Sequence, residues 1–375
     1  MSFLIKIGKR LSRPDIFFYC GIWMMFLLIV GTISQKYMGL YQAQLNFFSS
    51  FIFWFYGIPL PAGRATMGLI LISLILKSIF EKKYLKNSGT FIVHIGVILL
   101  LTGAFITGLL SKEGYMVIPE KNKSNIISDY HTVELAILSA DSEEVISIFP
   151  EKKLSKNKVL KKNLSFSLYI KDFIKNVQPV KRATPLGESF KGFSKIFELR
   201  EKKPEKVNEE NLAGLTFQIK RNNKIENYAV FEQMPIPQTI KWDHKKYIVS
   251  LGPVKTYLPF YLELTDFKKT YYPGTDKVKS YQSVVNIVEE QVKQRRVIKM
   301  NQPLRYKGYT FYQSSFIEED NLESSVLAVV KNLGRAFPYI SSLIICIGLL
   351  IHIFYSRHGI SIHIKKGKKI KDEAK

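Results

Sequence analysis

Two histidines lie inside apolar stretches of this chain, His94 in FIVHIGVILLLTGAF and His352 in LIICIGLLIHIFY. Neutral imidazole is a good axial ligand for haem iron, and two of them give a six-coordinate site. An ionisable side chain surrounded by hydrocarbon is costly, which makes each of them a candidate functional residue. The plainer alternatives are that His94 bonds to a neighbouring helix and that His352 snorkels to the membrane boundary. Gly96 and Gly103 lie near His94, and Gly348 is one turn before His352. Small residues of this kind admit either a flat macrocycle or a close-packed helix.

The elements that carry these residues follow from composition. The chain has 375 residues, 46% of them hydrophobic, arranged as four long apolar stretches and one large polar insert. That pattern predicts a membrane protein with four transmembrane α-helices and one large β-rich extracytoplasmic domain between helices three and four. The predicted spans are about 16–33, 66–80, 90–110 and 336–355. The first three make up an N-terminal membrane domain, 1–110, and the exported domain is 111–335. The first stretch has no small-residue cleavage site after its apolar core and is expected to be retained. Between spans one and two, residues 47–60 hold Phe47, Phe48, Phe51, Phe53, Trp54, Phe55 and Tyr56, a density of rings that suits an interfacial anchor.

Orientation follows from the short flanks. Lys6, Lys9, Arg10 and Arg13 precede span one, and Lys82, Lys83 and Lys86 lie between spans two and three. The tail 356–375 carries Arg357, Lys365, Lys366, Lys368 and Lys369. The positive-inside rule puts all three in the cytoplasm, with both termini inside and the insert outside a cytoplasmic membrane. His94 then lies four residues past Thr90, roughly 6 Å along its helix. His352 falls at a similar depth on a helix running the other way. The net charge of +24 is thinly spread and has no nucleic-acid motif beside it, so it reads as topology and attraction to anionic lipid.

The insert alternates apolar and polar residues in TVELAILSA, LSFSLYIKDF, LTFQIKRN, KYIVSLG, FYLELTDF and SVVNIVEE, with turn signals at RNNK and YPGTD. Residues 190–211 turn charged and are expected to form an exposed loop dividing the insert into two halves. The two cysteines, Cys20 and Cys346, both fall inside spans. An exported domain without cysteine excludes thiol reduction and disulfide exchange. His131, His244, His358 and His363 have no neighbouring ligands of the kind a zinc site needs, and solvated or turn positions are expected for the exported pair.

Several segments together resemble the ResB/CcsB family of system-II cytochrome c biogenesis. They are GTISQ after span one, PLPAGRATMG entering span two, FIVHIGVILLLTGAF in span three, FYLELTDFKKTYYPGTDKVKSYQSVVNI and NQPLRYKGYTFYQSSF. The resemblance implies a subunit that pairs with a ResC/CcsA-type membrane protein bearing a tryptophan-rich loop. Together they would deliver haem b across the membrane for attachment to apocytochrome c. It implies a haem-ligand role for His94, with His352 or a partner histidine as the second ligand, and no other metal. Arg305 and Lys307 would meet haem propionates or partner carboxylates, or simply lie exposed on a hairpin. With only Trp23, Trp54 and Trp242, this chain has no tryptophan cluster, so the synthetase half is expected on another chain. No catalytic residue is assigned, and the chain is expected to support a haem lyase without being one. The competing readings are a scaffold that never holds haem, and a b-type electron-transfer cytochrome.

Overall fold

The computed structural model describes residues 2–80, 88–221, 224–290, 292–319 and 322–357. Lys82, Lys83 and Lys86, and the tail residues His358, His363, Lys365, Lys366, Lys368 and Lys369, lie outside the described residues. The helices are α1 (Ser2–Leu11), α2 (Pro14–Met38), α3 (Leu40–Ala43), α4 (Gly63–Phe80), α5 (Ser88–Leu110), α6 (Phe193–Ile196) and α7 (Phe337–Arg357). Four of them, α2, α4, α5 and α7, are long and apolar enough to cross a membrane. The chain is therefore a membrane protein with a large β-rich unit.

Local chemistry explains where these helices begin and end. Pro14 starts α2 because its fixed φ suits the first helical position. Gly39, at φ 81° and ψ 166°, stops it by taking an extended positive-φ conformation open essentially to glycine alone, and its N–H reaches Gln35 O at 3.0 Å. α2 is thus longer than expected at both ends. The second part of the aromatic segment, together with Pro61, forms a hairpin of β1 (Ile52–Phe55) and β2 (Ile58–Pro61), turning at Tyr56 and Gly57 with positive φ. Its Pro61 carbonyl accepts from Trp23 Nε1 at 2.8 Å, while Trp54, Phe55 and Tyr56 stay exposed. Arg64 Nη2 donates to Gly108 O at 2.5 Å, so a cation closes the carbonyl end of α5.

The helical unit comprises residues up to 31, 45–111 and those from 333 onward. Its tightest contact is antiparallel, between α5 and α7. A Cβ on Gly89 would lie 2.5 Å from His352 N, and one on Gly96 would lie 2.6 Å from Ile345 Cγ1. Further along, Gly103 faces the Phe337 side chain, and from the other helix a Cβ on Gly348 would lie 2.8 Å from Val93 N. Gly89, Gly96 and Gly103 are spaced seven apart, two turns of a helix at 3.5 residues per turn. They form one seam on which α7 lies with near-backbone contact.

The β unit comprises residues 32–44 and 112–332. Its strands are β3 (Lys112–Pro119), β4 (Lys123–Ser139), β5 (Val145–Pro150), β6 (Val159–Leu160), β7 (Leu168–Ile174), β8 (Val177–Lys181) and β9 (Phe197–Glu201). β10 (Gly214–Arg221), β11 (Lys224–Phe231), β12 (Gln238–Trp242), β13 (Lys245–Tyr271) and β14 (Val278–Glu289) follow. β15 (Val292–Lys299), β16 (Leu304–Tyr306), β17 (Tyr309–Glu319) and β18 (Leu322–Lys331) complete the set. The large sheet has the order β15-β14-β13-β4-β3-β18-β17-β16, with β12 on β13 and β5 on β4. A four-stranded sheet, β11-β10-β7-β6, and the β8–β9 hairpin stand apart from it.

KYIVSLG and FYLELTDF, expected as separate strands, are two ends of the 27-residue β13. Pro253 and Pro259 lie between them. Neither can donate to a ladder, and the pairing with β4 shifts register between Pro253 and Lys255 and between Tyr257 and Leu262. The strand bends at its prolines and continues. Two cores form along it, one around Leu135, Leu168, Phe217 and Val249, the other around Met116, Phe260, Val285 and Phe311. The boundary between them therefore crosses β4 and β13. It does not fall at the charged stretch 190–211, contrary to expectation.

That stretch contains a clasp. Asn208 Nδ2 donates to His131 Nδ1 at 2.9 Å, and the His131 ring stacks on Tyr41 with centroids 3.7 Å apart. Asp129 Oδ1 accepts from the N–H groups of His131 and Thr132 at 2.8 and 2.9 Å, fixing the irregular stretch of β4 where its pairing with β13 passes from Val133 to Ser128. Gly39 abuts the Lys206 carbonyl, leaving no room for a Cβ. These contacts explain why residues 32–44 cluster with the β unit and not with the membrane domain 1–110 expected from sequence. His131 is thus half-buried and engaged within β4, where a solvated or turn position was expected. His244 does occupy a turn, with φ 62°.

Gly89→Ala should destabilise the full chain in detergent by about 1–3 kcal/mol, since overpacking forces backbone apart. Gly68→Ala, with nothing within 4 Å of its Cβ position, should be neutral or slightly stabilising by thermal unfolding. The clasp should be acid-sensitive. Burial lowers the His131 pKa, although Glu209, Asp129 and Glu113 pull it up. The unfolded chain then binds the proton more readily, so this stability is present above about pH 6.5 and declines as pH falls below it. Melting of the full chain between about pH 7 and 5 should show a smaller acid loss in His131→Phe than in wild type. Equal slopes would remove His131 as the cause.

Candidate functional site

His94 is the seventh residue of α5, and its Nδ1 lies 2.7 Å from Thr90 O, the carbonyl one turn back. A carbonyl only accepts, so the imidazole proton sits on Nδ1 and the lone pair of the neutral ring on Nε2. That is the tautomer an iron ligand needs. A backbone carbonyl on the other ring nitrogen is the usual device for orienting a metal-bound histidine. The donor chemistry of His94 therefore fits one axial bond to haem iron.

His352 is brought to the same threonine but not to the same face, its backbone standing more than a turn nearer the start of α5 than that of His94. Its backbone rests on Gly89, and its Nδ1 lies 3.3 Å from Thr90 Oγ1. Counting about 100° per residue, His94 projects about 140° around α5 from Gly89. Gly89, Gly96 and Gly103 all face α7, so His94 points well away from it. The seam is closed by helix against helix at Gly89, Gly96 and Gly348, which leaves no slot there for a macrocycle. The glycines noted in the sequence thus serve packing, and Gly89, the one next to His352, completes their seven-residue spacing. That spacing was legible in the sequence and was the signal overlooked.

Arg305 and Lys307 lie in the β unit on the hairpin of β16 and β17. Lys307, at φ 45°, and Gly308, at φ 82°, form its two-residue turn. The Lys307 ammonium is bonded to Glu289, whose other oxygen accepts from Tyr306 Oη at 2.7 Å. These bonds hold the Glu289 carboxyl below its ordinary range and raise the Lys307 ammonium above its own. Lys307 is therefore committed to an ion pair within its own unit, and Arg305 is exposed.

The rest of the NQPLRYKGYTFYQSSF segment builds structure. Phe311 is fully buried, and Gln313 Oε1 accepts from Ser283 Oγ at 2.6 Å while Nε2 donates to Ser325 Oγ at 3.0 Å. A buried amide satisfied on both sides fixes the register of β14, β17 and β18. Nearby, Lys269 sits between Glu318 and Glu323, 2.7 and 2.8 Å from their oxygens. Burial works against its charge, but the two carboxylates outweigh it and raise its pKa.

Comparison with known proteins agrees with the resemblance to the ResB family. Residues 226–326 match the model of the ResB-like family. That region runs from β11 into β18 and includes most of the second core, whereas His94 falls outside it. The chain is also 26% identical over 299 residues to Protein NrfI of Wolinella succinogenes, an alignment spanning 76% of this chain and 29% of that protein. The chain thus spans less than a third of that relative's length.

Proposed function

We propose that this chain is a haem-handling subunit of cytochrome c maturation, working with a ResC/CcsA-type membrane partner to supply haem for attachment to apocytochrome c. It would lie in a cytoplasmic membrane with both termini inside and the β unit outside, as the basic flanks of α2 favour. The similarity to the ResB-like family and to Protein NrfI supports the role in cytochrome c biogenesis. The observation that carries the haem reading is the His94 Nδ1 proton held by Thr90 O.

Haem is the cargo here, and its iron offers an axial position to a neutral imidazole. His94 supplies that imidazole, pre-oriented by its own helix at no cost at the moment of binding. Because His352 lies behind α5 relative to His94, the second axial bond is assigned to another chain, the partner. The β unit has no cysteine with which to reduce the acceptor's thiols, so thioether formation is assigned to the complex and not to this chain alone.

The family match falls within the β unit, and this favours one alternative, a scaffold that assembles the synthetase without holding haem. Reduced-minus-oxidised spectra of the chain purified with its partner separate the two. Wild type should show a haem signal that His94→Ala removes, and a signal indifferent to His94→Ala would sink the ligand assignment. No haem under any condition, with cytochrome c still matured, selects the scaffold. Expressed without the partner, the chain should attach no haem covalently to an apocytochrome.

A further inference from the structure

We propose that His352 and Thr90 form a positioning layer behind His94, so that His352 tunes the haem site without ligating it. This rests on the haem-ligand reading of His94 and concerns residues to which that reading gives no role. The structural basis is a short relay across two helices. The His94 proton on Nδ1 is held by Thr90 O at 2.7 Å, and the Thr90 hydroxyl lies 3.3 Å from His352 Nδ1. One threonine therefore touches both imidazoles, one through its backbone and one through its side chain.

The position of Thr90 gives this relay its purpose. It is the third residue of α5. Its carbonyl direction follows the helix, so whatever holds this stretch of α5 in place also sets where the His94 imidazole points. α7 supplies the hold in two ways. Gly89 lets the His352 backbone approach to within 2.5 Å of where a Cβ would stand, and His352 then reaches the hydroxyl of the next residue. Around α5, Thr90 lies about 100° from Gly89 and about 40° from His94, so it spans the gap between the seam and the ligand.

The same geometry argues against a ligand role for His352. Its backbone lies on the seam side of α5, about 140° around that helix from His94, and its ring reaches only as far as the Thr90 hydroxyl. A macrocycle held between the two would have to occupy space that the glycine contacts fill. A group that orients a histidine through its second ring nitrogen commonly changes metal affinity about 10- to 100-fold when removed. An effect of that size, without loss of the iron bond, is expected here.

The test uses the full chain purified with its membrane partner, in wild type, His94→Ala, His352→Ala, His352→Asn and Thr90→Val. Haem retained per protein, its absorption spectrum and its midpoint potential are read for each. His94→Ala should lose haem. His352→Ala and Thr90→Val should keep the wild-type ligation spectrum, weaken retention about 10- to 100-fold, and shift the potential in the same direction. His352→Asn, whose amide can meet the Thr90 hydroxyl but is no iron ligand, should restore retention and potential. If His352→Asn loses haem as completely as His94→Ala, His352 is a ligand and the positioning role is wrong. If His352→Ala and Thr90→Val match wild type in both readouts, the relay does nothing. A wild-type complex without haem overturns the haem reading itself, a result distinct from either of these.

Discussion

The close approach of α5 and α7 along Gly89, Gly96 and Gly103 is the constraint on which the candidate site depends. In a membrane there is little hydrophobic gain from bringing two apolar helices together, so association relies on packing and on the few available hydrogen bonds. Three glycines at seven-residue spacing give a continuous groove, and the antiparallel helix fills it. Once that seam is set, the rest of α5 is oriented. His94 must point away from α7, Thr90 must lie at the shoulder, and His352 must end against Gly89.

The β unit obeys a different constraint. Its two cores share the long strands β4 and β13, which pass from one to the other without interruption. The prolines of β13 sit where its register with β4 shifts, so a strand that would otherwise be broken is only bent. The clasp of Gly39, Tyr41, His131 and Asn208 then joins the residues after α2 to this unit. The segment NQPLRYKGYTFYQSSF, which lies within the family match, contributes a buried ring, a buried amide and a tight turn.

Much of the architecture was legible because it rests on local periodicity. Uninterrupted apolar runs of about 20 residues give helices that can span hydrocarbon. Alternation in TVELAILSA and SVVNIVEE gives strands, and the Lys307–Gly308 pair gives its hairpin turn. His94 was picked out by the cost of an imidazole in an apolar helix. Less legible was the pairing of elements. Nothing near His131 in the chain announces Asn208, 77 residues away, as its partner. The charge of residues 190–211 suggested a free loop, because local composition does not reveal a contact made at long range.

The sequence by itself determined that this is a membrane protein with four apolar helices and a large β-rich unit, and it named two histidines at matching depth. Depth follows from rise per residue, which one helix sets alone. Only the tertiary structure decided that these histidines occupy different faces of α5 and share a threonine instead of a gap. Which face of a helix is buried depends on the surface that meets it, and here that surface was chosen by glycines whose spacing has meaning only once α7 is laid against them.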